Sequence, residues 1–298
     1  MIKADKIVAV VGATGKQGGA TAARLLADGW RVRALTRDAT GEAARRLAAA
    51  GAEPVVADMG DRASLDRAIR GVHGVFSVQP APHSPDSPPG YDTAAEVRWG
   101  KNVADAAKAA GVAHLVYASL FEAERRTGVA SFDSKWEVER HIAAIGQPVT
   151  VLRQATFVDS FVTDGPVLAH VLAPDTRYQW IALADIAAFA ALAFADPDAY
   201  LGRSLPIAGD DLTPREVAAT ITRVTGRAVT YEPIPLDAIR RHDPELAKVF
   251  EVEPLVRADI AGLRELHPGL LTVEAWLTQA AGEGEPTSGR RPARPDGT

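Results

Sequence analysis

Gly12, Gly15 and Gly18 recur at every third position in Gly12-Ala13-Thr14-Gly15-Lys16-Gln17-Gly18-Gly19. Glycine lets a backbone turn tightly and approach a ligand with no Cβ between them. In this spacing Gly12 allows the turn, Gly15 admits backbone N–H groups to a pyrophosphate, and Gly18 lets a helix pack close to a strand. The phosphates would then sit at the positive end of the following helix. Thr14, Lys16 and Gln17 fall inside the loop and are expected to contact the same ligand. A second group of residues could act on a substrate. Lys135 stands on a predicted helix, and its ammonium could hold a cofactor hydroxyl or, if desolvated, transfer a proton. Ser119 follows a predicted strand, where its hydroxyl could polarise a substrate oxygen.

The second predicted strand, Trp30-Arg31-Val32-Arg33-Ala34-Leu35-Thr36, bears on which dinucleotide is bound. A cofactor without a 2′-phosphate usually meets an acid at the end of that strand, roughly 20 residues past the glycines. Here Thr36 is followed by Arg37 and then Asp38. The planar fork of Arg37 suits a 2′-phosphate, and Lys16 adds charge. NADP(H) is therefore preferred, with NAD(H) as the alternative in which Asp38 turns inward to the ribose hydroxyls.

These residues need a scaffold, and the first half of the chain alternates strand and helix. Apolar strands are expected at residues 7–11, 30–36, 53–57, 72–78, 114–118 and 149–152. Helices are expected near residues 41–50, 62–70, 92–110 and 133–145. Apolar strands alternating with helices predict a parallel sheet covered on both faces, with ligands at the carboxyl ends of the strands. Residues 80–90, with five prolines, form a loop. Beyond residue 155 the pattern is less regular. A strand is expected at Trp180–Leu183, a very apolar helix capped by Asp185, another strand at Leu205–Ala208, and a helix opened by Thr213-Pro214. The fold class is α/β: a doubly wound parallel-sheet Rossmann domain over residues 1–154, a smaller α+β substrate domain over 155–281, and a disordered tail over 282–298.

Composition excludes several alternatives. Hydrophobic residues make up 47% and charged residues 24%, with a net charge of −5, so no global field draws the chain to nucleic acid or to an anionic membrane. There are no cysteines, which removes thiol catalysis and thiolate metal sites and fits a reducing cytoplasm. His73, His114, His141 and His170 show no metal-ligand spacing. No apolar run reaches the roughly 20 residues needed to span a bilayer.

Four stretches together resemble the NmrA-like group of atypical short-chain dehydrogenases/reductases. They are Val11–Gly19; Ala57-Asp58-Met59-Gly60-Asp61; Phe132-Asp133-Ser134-Lys135-Trp136-Glu137 with Gly146–Arg153; and Trp180–Ile186 with Tyr200-Leu201-Gly202-Arg203. The resemblance implies a cofactor-binding Rossmann domain with a small carboxyl-terminal domain. It implies Asp58 and Met59 along the adenine, Val78 and Gln79 where the fourth strand meets the cofactor, Lys135 at the nicotinamide-side ribose and Phe157 near the nicotinamide. Short-chain dehydrogenases ordinarily use Tyr-x-x-x-Lys, but Ser131 stands four residues before Lys135. Related plant reductases also lack the tyrosine, and their lysine is thought to act as the base. The more ordinary role for Lys135 is an i,i+4 pair with Glu139. Tyr91 and His83, by the proline-rich loop, are weaker acid candidates, and Tyr117 is expected in the core. Two functions follow. One is an NAD(P)H-dependent reductase passing hydride to a small apolar carbonyl, quinone or conjugated substrate. The other is a non-catalytic NADP(H) redox sensor or transcriptional co-regulator with a protein partner. Neither entails direct nucleic-acid contact, and a homodimer is compatible with both.

Overall fold

A computed structural model describes residues 5–82, 87–161 and 165–283. His83 and most of the predicted tail lie outside these residues; the last helix, Val273–Glu283, runs just into the tail. The chain forms two compact units. One comprises the chain up to Gln154 together with Leu183–Ile207 and Glu251–Asp259. The other comprises Ala155–Ala182, Ala208–Phe250 and the chain from Ile260.

The first unit is built on a sheet of seven strands. Six follow the predicted order: β1 (Ile7–Val11), β2 (Arg31–Thr36), β3 (Glu53–Val56), β4 (Gly74–Ser77), β5 (His114–Leu120) and β6 (Val149–Gln154). Helices α1 (Lys16–Ala27), α2 (Glu42–Ala49), α3 (Arg62–Ala68), α4 (Thr93–Ala109) and α5 (Ala130–Ala144) connect them. The strands lie side by side as β6, β5, β4, β1, β2, β3, every neighbour parallel. Strand β1 sits between β2 and β4, so the chain winds outward one way and then crosses back to wind the other. The crevice beyond the carboxyl ends of β1 and β4 is the switch point where such sheets bind ligands. Gly12 follows β1 there, and Val78 and Gln79 follow β4.

Ala9, Val11, Val75, Leu115 and Tyr117 share a buried cluster with Leu65 of α3, Val103 and Ala107 of α4, and Val138 and Ile142 of α5. Fully buried runs such as Val8–Val10 are what a strand covered on both faces requires.

The continuous second domain expected over residues 155–281 is corrected by the fold. The helix Leu183–Ala195 is apolar nearly all round and needs cover on more than one side. It packs against α1, and its Phe194 meets the rings of Trp30 and His114 edge-on at 6.2 and 5.4 Å. A Cβ on Gly74 of β4 would come within 2.6 Å of the Phe194 ring, so the glycine makes room for this helix. Asp185, expected to cap this helix from outside, lies buried within its first turn. The strand Ser204–Ile207 then adds to β6 as the seventh of the sheet, burying Leu205 and Ile207.

His114 Nε2 lies 2.8 Å from Thr150 Oγ1, whose one proton goes to Tyr200 O at 2.8 Å. The imidazole must therefore donate from Nε2, leaving Nδ1 buried and without a partner among the described residues. Burial first, and His73 second, push His114 down from 6.5 to about 4. As pH falls the unfolded chain takes up this proton before the folded one does. The stability contributed by neutral His114 is present above pH 6.5 and is lost between 6.5 and 4, on the order of 3 kcal/mol. Urea midpoints at pH 7.5 and 5 should differ less in His114→Gln than in the wild type. Equal differences would refute this assignment.

The second unit carries a three-stranded sheet in the order Asp210–Leu212, Tyr178–Ile181, Thr156–Phe157, and a parallel pair, Val167–His170 with Thr230–Pro233. Trp180, Phe161, Val217, Ile221 and Leu277 form its core. The helix Pro214–Thr225 opens on the predicted cap: Thr213 accepts from Glu216 N at 3.1 Å, and Glu216 answers from Thr213 N at 2.8 Å.

Candidate functional site

The glycine turn has the geometry its sequence implies. Gly12 has φ +68°, a left-handed value that an L residue adopts only with strain. Gly15 N donates to Gly12 O at 2.9 Å and closes the turn. A Cβ on Gly18 would stand 2.2 Å from Gly12 O and 2.6 Å from Gly12 C, so only glycine lets α1 seat against the turn. The N-cap of α1 is Gly15, with no side-chain cap and no acid in the first turn. By contrast α3 and α4 are capped by Asp61 and Asp92. The start of α1 therefore keeps its positive end for an anion. Thr14, Gly15 and Lys16 are exposed along this turn, while the Gln17 side chain turns inward and donates to Gln154 at the end of β6.

Arg37 and Asp38 divide the end of β2 between them. Arg37 is exposed and has no hydrogen-bond or ion-pair partner among the described residues. The Asp38 carboxylate is already engaged. It accepts from Thr40 N at 2.8 Å, Thr40 Oγ1 at 2.7 Å and Gly41 N at 3.0 Å. The Thr40 hydrogen bonds, chiefly, hold its pKa below the ordinary value. The inward-turning Asp38 of the NAD(H) alternative is thus replaced by an Asx turn before α2, which Asp-x-Thr-Gly favours.

Asp58 and Met59 follow β3. Asp58 Oδ1 accepts from Gly60 N at 2.7 Å, and Met59 O accepts from Asn102 Nδ2 of α4 at 2.9 Å. Asp61 caps α3. Gln79, buried beyond β4, donates to Ser77 Oγ at 2.9 Å, and its Oε1 has no partner among the described residues. Phe157 is half-buried in the second unit, paired in register with Ile181.

Lys135 is not paired with Glu139, the ordinary role considered above. Its Nζ lies 2.7 Å from Glu96 Oε1 of α4, with the Glu96 side chain fully buried and that of Lys135 10% exposed. Ser134 Oγ donates to the other carboxylate oxygen at 2.6 Å. The same Nζ stands 5.9 Å from the centre of the Tyr117 ring. Tyr117 is in the core as expected. Burial, then Glu96, raises its phenol well above the ordinary value, and the Tyr91 phenol is raised for the same reasons in the same order. Both phenols stay protonated, and neither oxygen has a partner among the described residues. Tyr91 also packs on Trp99, ring centres 4.8 Å apart.

Glu139 serves a second buried network. It accepts from Ser119 Oγ at 2.5 Å and from Arg153 Nη2 at 2.8 Å. Arg153 reaches Glu124 at 2.5 Å and lies 5.7 Å from the Trp136 ring. The Ser119 proton is thereby spent on Glu139, which leaves its hydroxyl no donor for a substrate oxygen. Among the described residues no group of His, Asp or Glu is arranged to hold a metal ion.

A parallel doubly wound sheet, a glycine turn at its switch point and an uncapped helix start define a Rossmann protein built to take a dinucleotide. The family model described as the NmrA-like family matches residues 4–272, and the chain belongs to that family. It is 32% identical over 256 residues to the (4-alkanoyl-5-oxo-2,5-dihydrofuran-3-yl)methyl phosphate reductase of Streptomyces griseus, covering 82% of this chain and 84% of that one. It is 30% identical over 235 residues to quinone oxidoreductase 2 of Escherichia coli, covering 76% and 77%. Among solved structures it is similar in fold to the Citrobacter sp. triphenylmethane reductase complexed with NADP(H). That match has a TM-score of 0.75 and 23% identity, covering 92% of this chain and 99% of that one.

Sequence reasoning missed Glu96. One signal was available: Glu96, Gly100, Val103 and Ala107 fall at helical spacing on the buried face of α4. A carboxylate on an apolar stripe must have a partner.

Proposed function

We propose that this protein is an NADPH-dependent reductase that passes hydride to a small apolar carbonyl, quinone or conjugated acceptor. The observation that carries the reading is the uncapped, glycine-cradled start of α1 beside Arg37, unpaired among the described residues, with Asp38 spent on its own turn. The cradle is one that a Cβ would fill, and the charges beside it match a dinucleotide bearing a 2′-phosphate. The named relatives include a reductase and a quinone oxidoreductase, which supports the reaction class.

In this reading NADPH, when bound, supplies the hydride. The α1 amides and Thr14 hold the pyrophosphate, and Arg37 with Lys16 holds the 2′-phosphate. Asp58 and Met59 line the adenine, and Gln79 meets the cofactor beyond β4. Lys135 donates hydrogen bonds at the nicotinamide-side ribose. Its ammonium is held by Glu96, so it acts as a donor rather than as the base considered above. Ser131 stands four residues before Lys135, where the usual tyrosine would be.

Calorimetric titration with NADPH, NADP, NADH and NAD tests the cofactor, and a quinone and enone panel tests turnover. Arg37→Ala should weaken NADPH about 10- to 100-fold and leave NADH nearly unchanged, since a charged hydrogen-bonded contact contributes about 1.5–3 kcal/mol. Equal loss for both cofactors would refute the role of Arg37. Discrimination between oxidised and reduced cofactor with no turnover of any acceptor would instead favour the sensor.

A further inference from the structure

Lys135 and Glu96 are 39 positions apart in sequence and meet because α4 and α5 run parallel and unusually close. Gly100 is the reason. A Cβ there would fall 2.6 Å from Val138 Cγ2 and 2.9 Å from Val138 Cγ1, so α5 can press against the α4 backbone only where α4 has no side chain. The same register recurs further along the two helices, with Lys101 on Glu137 at 2.6 Å and Asp105 on His141 at 2.6 Å. One turn before Gly100 and Val138, it brings Glu96 to Ser134 and Lys135.

That contact has unusual energetics. Burying a carboxylate completely is costly unless it is paired and hydrogen-bonded, and Glu96 is both. Its two oxygens face two consecutive residues of α5, so it fixes the helix as well as the ammonium. Among the described residues no other hydrogen bond or ion pair orients Lys135 Nζ. The titratable groups facing it are Glu96 from α4 and Tyr117 from β5, with Tyr91 beyond Glu96 and Glu139 of its own helix turned to Arg153. Both phenols are protonated, and Glu96 is the carboxyl group that meets Lys135 Nζ in this cluster.

We propose that Glu96 is the positioning residue of the site: it acts through Lys135, holding that ammonium as a fixed hydrogen-bond donor to the cofactor. The inference rests on the reductase reading only in taking NADPH as the ligand of Lys135. It has a sign that separates it from bulk electrostatics. If Glu96 were merely a nearby negative charge, neutralising it would tighten an anionic cofactor. If it positions Lys135, neutralising it weakens the cofactor and slows turnover.

The test is a double-mutant cycle on the full chain with Glu96→Gln, Lys135→Met and both together, plus Glu96→Asp as the conservative variant. NADPH affinity is read by calorimetry, steady-state constants with a quinone acceptor, and unfolding by thermal melts. We expect Glu96→Gln to weaken NADPH about 10-fold and to lower kcat by a similar factor, with KM for the quinone little changed. Glu96→Asp keeps the charge and should recover part of both losses. In the Lys135→Met background Glu96→Gln should change affinity by less than about twofold, because the residue it acts through is gone.

Tighter NADPH binding by Glu96→Gln, or an equal effect with and without Lys135, would overturn the proposal. So would a loss that follows the melting temperature across all four variants, with no split between kcat and KM and no recovery in Glu96→Asp. If Glu96→Gln does not fold, Glu96→Asp and the double variant carry the same comparison. A wild type that fails to bind NADPH would overturn the functional reading and this inference together. A wild type that binds, with Glu96→Gln unchanged, would overturn the inference alone.

Discussion

Replacing Gly18 by alanine should abolish measurable dinucleotide binding while leaving most of the fold in place. The added Cβ would stand 2.2 Å from Gly12 O, 2.6 Å from Gly12 C and 3.0 Å from Ala13 N, all backbone atoms of the turn itself. No side chain can rotate out of the way, so either α1 retreats from the turn or Gly12 leaves its left-handed conformation. Both movements misplace the amides that would meet the pyrophosphate. Losing two such charge-assisted hydrogen bonds, at about 1.5–3 kcal/mol each, weakens NADPH by a factor on the order of 100 or more. Overpacking adds about 1–3 kcal/mol of lost stability. Gly19→Ala is the matched control, because its Cβ would meet only Ala13 O at 3.3 Å. Calorimetry on the two variants checks this. NADPH affinity in Gly18→Ala within tenfold of the wild type would mean that the turn does not hold the phosphates.

The second large effect is expected at Arg153. With Arg153→Met the Glu139 carboxylate, 5% exposed, keeps only the Ser119 hydroxyl as a polar partner among the described residues. Breaking a buried pair by removing one member typically costs about 3–5 kcal/mol, since the remaining charge is left uncompensated. In a chain of this size that lowers the melting temperature by roughly 10 °C. Glu139→Gln should cost less, because Arg153 retains Glu124 at 2.5 Å. The double variant, with neither charge buried, should recover much of the loss. Thermal melts of the three variants decide the matter. A single Arg153→Met variant as stable as the wild type would show that the network carries no stability. This asymmetry also explains why Ser119 serves the scaffold: its hydroxyl completes a carboxylate shell that the fold must satisfy.

The parts of the site that were legible beforehand are those encoded within a few consecutive residues. The glycine turn is one, because the conformation of Gly12 and the close approach at Gly18 arise between residues less than two helical turns apart. The strand and helix alternation up to β6 is another, since hydrophobic period and connection length are local. The Asp38 turn belongs with them: Asp38-Ala39-Thr40-Gly41 is a capping pattern, and reading Asp38 as a ribose ligand passed over it.

What tertiary structure decided is the partnership of each buried charge. Lys135 has Glu139 one helical turn away, and local spacing favours that pair. The packing of α5 against β6 gives Glu139 to Arg153, and the close approach of α4 at Gly100 gives Lys135 to Glu96. Likewise the apolar helix Leu183–Ala195 announced that it would be buried, but not where. Only the free edge of β6 and the exposed flank of α1 sent it and the strand Ser204–Ile207 back to the first unit. Sequence determines which residues must be buried and which turns must form, because those follow from each residue's own conformational and solvation energies. Which buried groups meet depends on the distance between elements far apart in the chain, and a missing methyl group at Gly100 set that distance here.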